Sequence, residues 1–289
     1  MLNKRIGGAV IIKDGIAVQS IGFGKYLPVG RPEIAVEYLN KWGIDEITLF
    51  DISATKQNRC FDLQLLKEIG KKSFVPLAVG GGISSIRDID ELIKNGADKV
   101  CINNLLQKDL SVLKRGAEKY GNQCMIAAVD FVSINNDYFV YDYIAKRSTG
   151  IKVIEWVKVL EQNLAGEILL NSVDRDGSYK GFDIKLYAEI CGIVAIPVIA
   201  LGGAGSPQHF KDLFSDADVA AAYAGNFFNF SEHSVITLKK KLKDCGFNIR
   251  LETAADYSSF IVDKNNRINK KSDDELEHLL FTKIEKEII

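Results

Sequence analysis

Histidine is nearly missing from this chain. His209, His233 and His278 are the only three, and none stands at a spacing to Asp, Cys or another His that suits a metal ion. Each lies in a polar stretch, so the expectation is surface histidine, with no metal site and no histidine-based triad. Cysteine is sparse as well: Cys60, Cys101, Cys124, Cys191 and Cys245 are odd in number and widely scattered. They read as small buried hydrophobes in a reducing cytoplasm, and no accompanying motif marks one as a nucleophile. No apolar run approaches the roughly 18–20 residues of a spanning helix. The segment Met1–Gly15 lacks a long apolar stretch followed by a small-residue cleavage site, so no leader peptide is expected. Charge of one sign is not in excess either. With 37 Lys and Arg against 38 Asp and Glu, the net charge of -1 gives no global pull toward nucleic acid or a membrane surface.

What is present is a rhythm. The 289 residues, 47% hydrophobic and 26% charged, can bury the core of one barrel-sized domain or two small ones. Short apolar strands alternate with Gly/Asp-rich turns and amphipathic helices. Strands are predicted over Arg5–Ile12, Glu46–Ile52, Val75–Val79, Lys99–Asn103, Met125–Asp130, Glu167–Ser172, Pro197–Leu201 and Val219–Tyr223, with helices such as Pro32–Trp42, Ser84–Asn95 and Ile151–Gln162 between them. Ser84 reads as an N-cap and Gly96 as the stop of the same helix. Eight such strands favour a closed (β/α)8 barrel over residues 1–251. Residues 252–289 read as an extension in which the capping box at Ser272–Glu275 opens an amphipathic helix with Leu276, Leu279, Leu280 and Ile284 on one stripe.

The chain also repeats itself. Asp45–Leu49 aligns with Gly166–Leu170, and Val79–Gly82 with Ala200–Gly203, both at a separation of 121 residues (46 to 167, 82 to 203). Ala97–Asp98 returns at Ala217–Asp218. The barrel therefore reads as two fused half-barrels, each with a glycine turn after its third strand. Two interruptions stand out: Gly15–Gly30, either a mobile lid or a small hairpin, and Phe131–Gly150, whose alternation after Asn135-Asn136-Asp137 predicts an inserted hairpin.

Chemistry concentrates at strand ends. In a parallel barrel ligands gather at the C-terminal ends of the strands, and Asp174-Arg175-Asp176-Gly177 places two carboxylates and a guanidinium there after an apolar strand. Asp130 ends strand five and Asp51 ends strand two; each is either a general acid–base or a loop-bracing Asp. Gly81, Gly82, Gly202 and Gly203 precede helix starts, where bare N–H groups and the helix dipole make anion sites; tight strand-to-helix packing is the other use of such turns. Paired by the repeat, they suggest a substrate with a phosphate at each end, completed by Asn103, Gly177, Gly225 and Asn226. At the opposite end Arg5, Glu46, Lys99 and Glu167 each begin a strand with alternating sign, forming either a charged ring at the floor or a plain salt-bridged plug.

These motifs resemble the cyclase subunit of imidazole glycerol phosphate synthase over residues 1 to about 251. The match rests on Lys13-Asp14-Gly15, Val79-Gly80-Gly81-Gly82-Ile83, Gly96-Ala97-Asp98-Lys99-Val100, Gly166–Leu170, Asp174–Gly177 and Gly202-Gly203-Ala204-Gly205. The resemblance implies a half-barrel duplication with two phosphate sites and no cofactor. It also implies ammonia delivered by a glutaminase docked at the floor beside Asp98, through a gate that Arg5, Glu46, Lys99 and Glu167 match. Asp130 falls at one of the family's two catalytic positions, and Asp176, which follows an apolar strand, stands beside it as a catalytic candidate. One position departs: Ile11 stands where the family carries its other catalytic Asp, and it cannot exchange a proton. Gln19 replaces a lid lysine and Asn171 a threonine. That combination is similar to a paralogous branch, the acetamidino-modification proteins of surface-polysaccharide pathways, which work with a sugar amidotransferase. The expectation is an ammonia-accepting subunit converting acetamido to acetamidino groups on a glycan sugar, with the cyclase of histidine biosynthesis as the alternative.

Overall fold

The apolar runs become strands buried on both faces because helices pack outside them and one another's side chains fill the space inside. The computed structural model describes residues 3–229, 231, 233–253, 257, 260–263, 267–269, 272 and 274. In chain order the elements are β1 (Arg5–Lys13), β2 (Ile16–Ile21), β3 (Lys25–Gly30), α1 (Pro32–Lys41), β4 (Glu46–Asp51), α2 (Leu63–Gly70), β5 (Leu77–Gly80), α3 (Ile86–Lys94) and β6 (Lys99–Ile102). They continue with α4 (Ser111–Tyr120), β7 (Met125–Ile134), β8 (Asp137–Asp142), β9 (Arg147–Lys152), α5 (Val153–Gln162), β10 (Glu167–Ser172) and α6 (Ile184–Cys191). The last are β11 (Val198–Leu201), α7 (Pro207–Asp216), β12 (Ala221–Ala224), α8 (Asn226–Asn229) and α9 (Ser234–Asp244). Parallel pairing runs β1-β4-β5-β6-β7-β10-β11-β12, and β12 returns to β1, so the sheet closes on itself. This is the (β/α)8 barrel that the sequence predicts.

Period two sorts the strand side chains into two cores. On β4, Ile47 and Leu49 face the helices, whereas Phe50 joins the bore with Ala9, Ala78, Ala128, Leu169 and Tyr223. Gly15–Gly30 is the hairpin: β2 pairs antiparallel with β1 and with β3. The inserted hairpin after strand five is also present, and β7 runs past Asp130 to Ile134 because β8 prolongs its pairing there. Ser85, not Ser84, caps α3: its side chain accepts from the Asp88 N–H, while the Ser84 hydroxyl donates to the Asp88 carboxylate. The predicted helix following Ser272 lies outside the described residues apart from Asp274.

Helix α9 is fastened by a buried ion pair. Lys239, fully buried, donates to the Gly43 carbonyl and to Asp45 Oδ1 at 2.6 Å, and Asp45 Oδ2 accepts from the Ile6 N–H. One carboxylate thus ties the last helix to the start of β1 and to the turn before β4.

Candidate active site at the barrel mouth

The strands end around a cavity of about 700 Å3, and one carboxylate sits deep in it. Alternation along β7 turns Asp130 inward with Ile126 and Ala128. Its Oδ2 accepts from Asn103 Nδ2 at 2.7 Å and its Oδ1 from Asn171 Nδ2 at 3.1 Å. Burial raises the Asp130 pKa to about 7, against the pull of the two amides and with a further push from the Asp176 charge. A carboxyl that exchanges its proton near neutral pH suits general acid–base work.

Ile11 and Asp176 line the same cavity. Ile11 lies on β1 opposite Phe50 of β4 and Val18 of β2, so its position offers hydrocarbon where a second acid would serve. Asp176 is the nearest replacement in charge, but it is tied: Oδ2 accepts from Ser20 Oγ at 2.6 Å and from the Phe23 N–H at 3.2 Å. Burial pushes its pKa up, and those hydrogen bonds restrain the rise. Asp51 is the loop-bracing Asp. Its Oδ1 accepts from the Ser53 and Ala54 N–H groups, and its Oδ2 pairs with Arg59 at 2.7 Å.

Gly81, Gly82, Asn103, Gly177, Gly202, Gly203, Gly225 and Asn226 all line this cavity. The two glycine turns mirror each other. A Cβ on Gly81 would stand 2.6 Å from the Asp51 carbonyl oxygen, and one on Gly202 would stand 2.9 Å from that of Ser172, again 121 residues on. Gly82 and Gly203 have φ of +66° and +99° and no room for a side chain against the Arg59 and Gly181 carbonyls. Packing therefore demands these glycines, and the same bareness exposes their backbone to the cavity. The two asparagines spend their side chains on the protein: Asn103 on Asp130, and Asn226 on the Ser20 backbone, donating to its carbonyl and accepting from its N–H.

Cations that the sequence reading overlooked complete the rim. Lys13, Lys56, Arg59, Lys108 and Lys146 line the cavity, and among the described residues no Lys or Arg beyond Lys146 does. The signal was available, since each follows a strand end of the first five barrel strands. Two of them are paired on the rim, Lys13 with Asp14 and Arg59 with Asp51.

At the opposite end, Arg5 donates to Glu46 Oε2 and Glu167 Oε1, both at 2.7 Å. Lys99 reaches Glu167 Oε2 at 2.7 Å and Glu46 Oε2 at 3.9 Å, which closes the ring. Burial pushes the Glu46 carboxyl up, against the pull of Arg5. Asp98 is exposed beside this ring, and its carboxylate accepts from the Leu77 N–H at 2.8 Å.

Residues 5–234 match the family described as Histidine biosynthesis protein. A putative imidazole glycerol phosphate synthase subunit hisF2 of Vibrio vulnificus is 40% identical over 263 residues, covering 91% of this chain and 97% of that one. Imidazole glycerol phosphate synthase subunit HisF of Staphylococcus carnosus is 40% identical over 252 residues, covering 86% and 99%. The chain belongs to the histidine-biosynthesis barrel family. The same named subunit from Clostridium botulinum is 37% identical over 253 residues, covering 87% and 100%. None of these relatives carries a glycan-modification name, so the acetamidino branch is not part of what the comparisons establish.

In this member of the family His209 and His233 are half-buried rather than free on the surface, and His278 lies outside the described residues. His209 Nδ1 accepts from the Gly205 N–H and its ring packs on Gly181, bracing the second glycine turn from behind. His233 lies between Trp42 and Tyr257. Among the described residues no cluster of His, Cys, Asp and Glu suits a metal ion, and no helix is long and apolar enough to cross a membrane. Cys101 is buried as expected, whereas Cys245 is exposed. Gln19 is buried and does not line the cavity.

Proposed function

We propose that this chain is the ammonia-accepting barrel subunit of a glutamine-dependent synthase, of the imidazole glycerol phosphate synthase cyclase type. One observation carries the reading: Asp130, poised to exchange a proton near pH 7, lies in a cavity flanked by two glycine turns at equivalent places in the repeat. A ligand with a phosphate at each end spans such a cavity, one end at Gly81, Gly82 and Asn103, the other at Gly177, Gly202, Gly203, Gly225 and Asn226. Ammonia released by a glutaminase seated at the floor beside Asp98 enters through the ring of Arg5, Glu46, Lys99 and Glu167. Asp130 and Asp176 then move protons as nitrogen joins the ligand. The names of the relatives support the same reaction class.

The test is complementation of a histidine auxotroph lacking its cyclase subunit, paired with the purified chain supplied with ammonium salts and the cyclase substrate. Growth, and formation of imidazole glycerol phosphate that is lost in Asp130→Asn, is the expected result; neither growth nor product would overturn it.

A second reading is favoured by Ile11. With hydrocarbon in place of a second acid on β1, the cavity suits an acceptor that needs fewer proton transfers, such as an acetamido sugar converted to its acetamidino form with a separate amidotransferase. Isotope-labelled glutamine supplied to the reconstituted partners then places nitrogen in an amidine, and the auxotroph is not rescued.

A further inference from the structure

One large side chain stands between floor and mouth. β12 runs beside β1 with Ala221 opposite Arg5 and Tyr223 opposite Gly7, so Tyr223 sits one pleat, about 6.6 Å, above the floor ring. It is fully buried in the bore, in one cluster with Ala9, Ala78, Cys101, Ile126, Leu169 and Ile199. Its phenol is the largest side chain of that cluster. Its seat is Gly7: a Cβ there would stand 2.0 Å from Cε1 and 2.2 Å from Cδ1 of the ring, so the ring lies flat on bare backbone.

Both ends of Tyr223 meet a functional region. Its hydroxyl faces Glu46 and Thr48 and feels the charges of Arg5 and Glu167. The ring borders the mouth cavity. Glu46 and Thr48 are buried at this level, and the Tyr223 hydroxyl lies close to both side chains.

We propose that Tyr223 is a plug that closes the bore between the floor ring and the mouth cavity, and that it must leave its seat on Gly7 before a small nitrogen donor entering below can reach Asp130. Glu46 Oε1 and Thr48 Oγ1 offer acceptors to the N–H groups of ammonia once the phenol moves aside. The closure stands on geometry alone; its use for ammonia rests on the function proposed above. The floor is therefore a lock with two doors, an ionic one and an aromatic one.

The closure is tested on the isolated chain. Thr48→Cys places a thiol beside the hydroxyl end of the plug, and its labelling by methyl methanethiosulfonate is followed by peptide mass spectrometry. Combining it with Tyr223→Ala speeds labelling by about tenfold or more, because reagent no longer waits for a local opening, while Tyr223→Phe leaves the rate unchanged. Tyr223→Leu, which fills less of the seat, serves in place of the alanine variant should that one not fold. Labelling that does not accelerate when the ring is removed overturns the proposal. With a glutaminase and isotope-labelled glutamine, Tyr223→Ala further shortens the delay before label reaches the product. Absence of label in the product of the unaltered pair sinks the ammonia reading and leaves the thiol result to judge the plug.

Discussion

Ser20 Oγ donates to Asp176 Oδ2 across 2.6 Å, joining residues 156 positions apart in the chain. The bond pins the β2–β3 hairpin, which belongs to the first half-barrel, onto the loop after β10, which belongs to the second. The Gly22 N–H adds a bond to the Asp176 carbonyl at 3.0 Å. Ser20→Ala is expected to cost about 1 kcal/mol of stability. Its sharper signature is faster amide exchange confined to Gly22–Lys25, measured by hydrogen–deuterium exchange with the rest of the barrel unchanged.

Asp130 makes stability depend on pH in an unusual direction. Its folded pKa of about 7 lies above the ordinary 3.8, so between those values the native state holds a proton that the unfolded chain has released. Stability from this group is full at low pH and falls by up to about 1.4 kcal/mol per unit as pH rises, levelling above 7. Urea unfolding from pH 5 to pH 8 should show this slope in the unaltered protein and lose it in Asp130→Asn. As a general base Asp130 acts once deprotonated, so the ammonia-driven rate should climb with pH through about 7.

Ile11→Asp tests the chemistry of the mouth. A carboxylate on β1 would face Asp130 across the cavity and raise its pKa further, as like charges do. Cyclase turnover with ammonium salts should rise about tenfold or more if a missing second acid limits it, within the range general acid–base groups contribute. Unchanged turnover would place the second proton at Asp176.

Arg5 holds two buried carboxylates apart at the floor. Arg5→Leu leaves Glu46 and Glu167 facing each other with Lys99 as their remaining cation, and the expected loss is about 3 kcal/mol, read from urea unfolding at pH 7. Because the lost term is repulsion between carboxylates, the variant should recover stability on acidification toward pH 5, whereas a mere packing defect would not.

How much of this was legible in residues alone depends on distance along the chain. Barrel strands announced themselves because each is a short apolar run between Gly/Asp turns, and the repeat announced the mirrored glycine turns. Asn103 and Asn171 were harder. Their amides converge on Asp130 from the end of β6 and from β10, and only the parallel pairing of those strands on either side of β7 brings them together. The hairpin at Gly15–Gly30 stayed ambiguous because its glycines fit a loop as well as a turn, and what decides it is pairing with β1. Ser84 and Ser85 are chemically equal as caps. Backbone angles of -157° and 167° at Ser85 made the choice, and no composition rule encodes them.

The Lys239–Asp45 pair has a consequence for the order in which this protein can mature. Asp45 emerges from the ribosome almost two hundred residues before the ammonium that neutralises it, a separation of 194 positions. Until then that carboxylate has no ammonium beside it, although β12 already carries the backbone groups that pair with β1. Translation therefore delivers the buckle after the belt is threaded: α9 fastens onto a barrel whose eight strands have all been made.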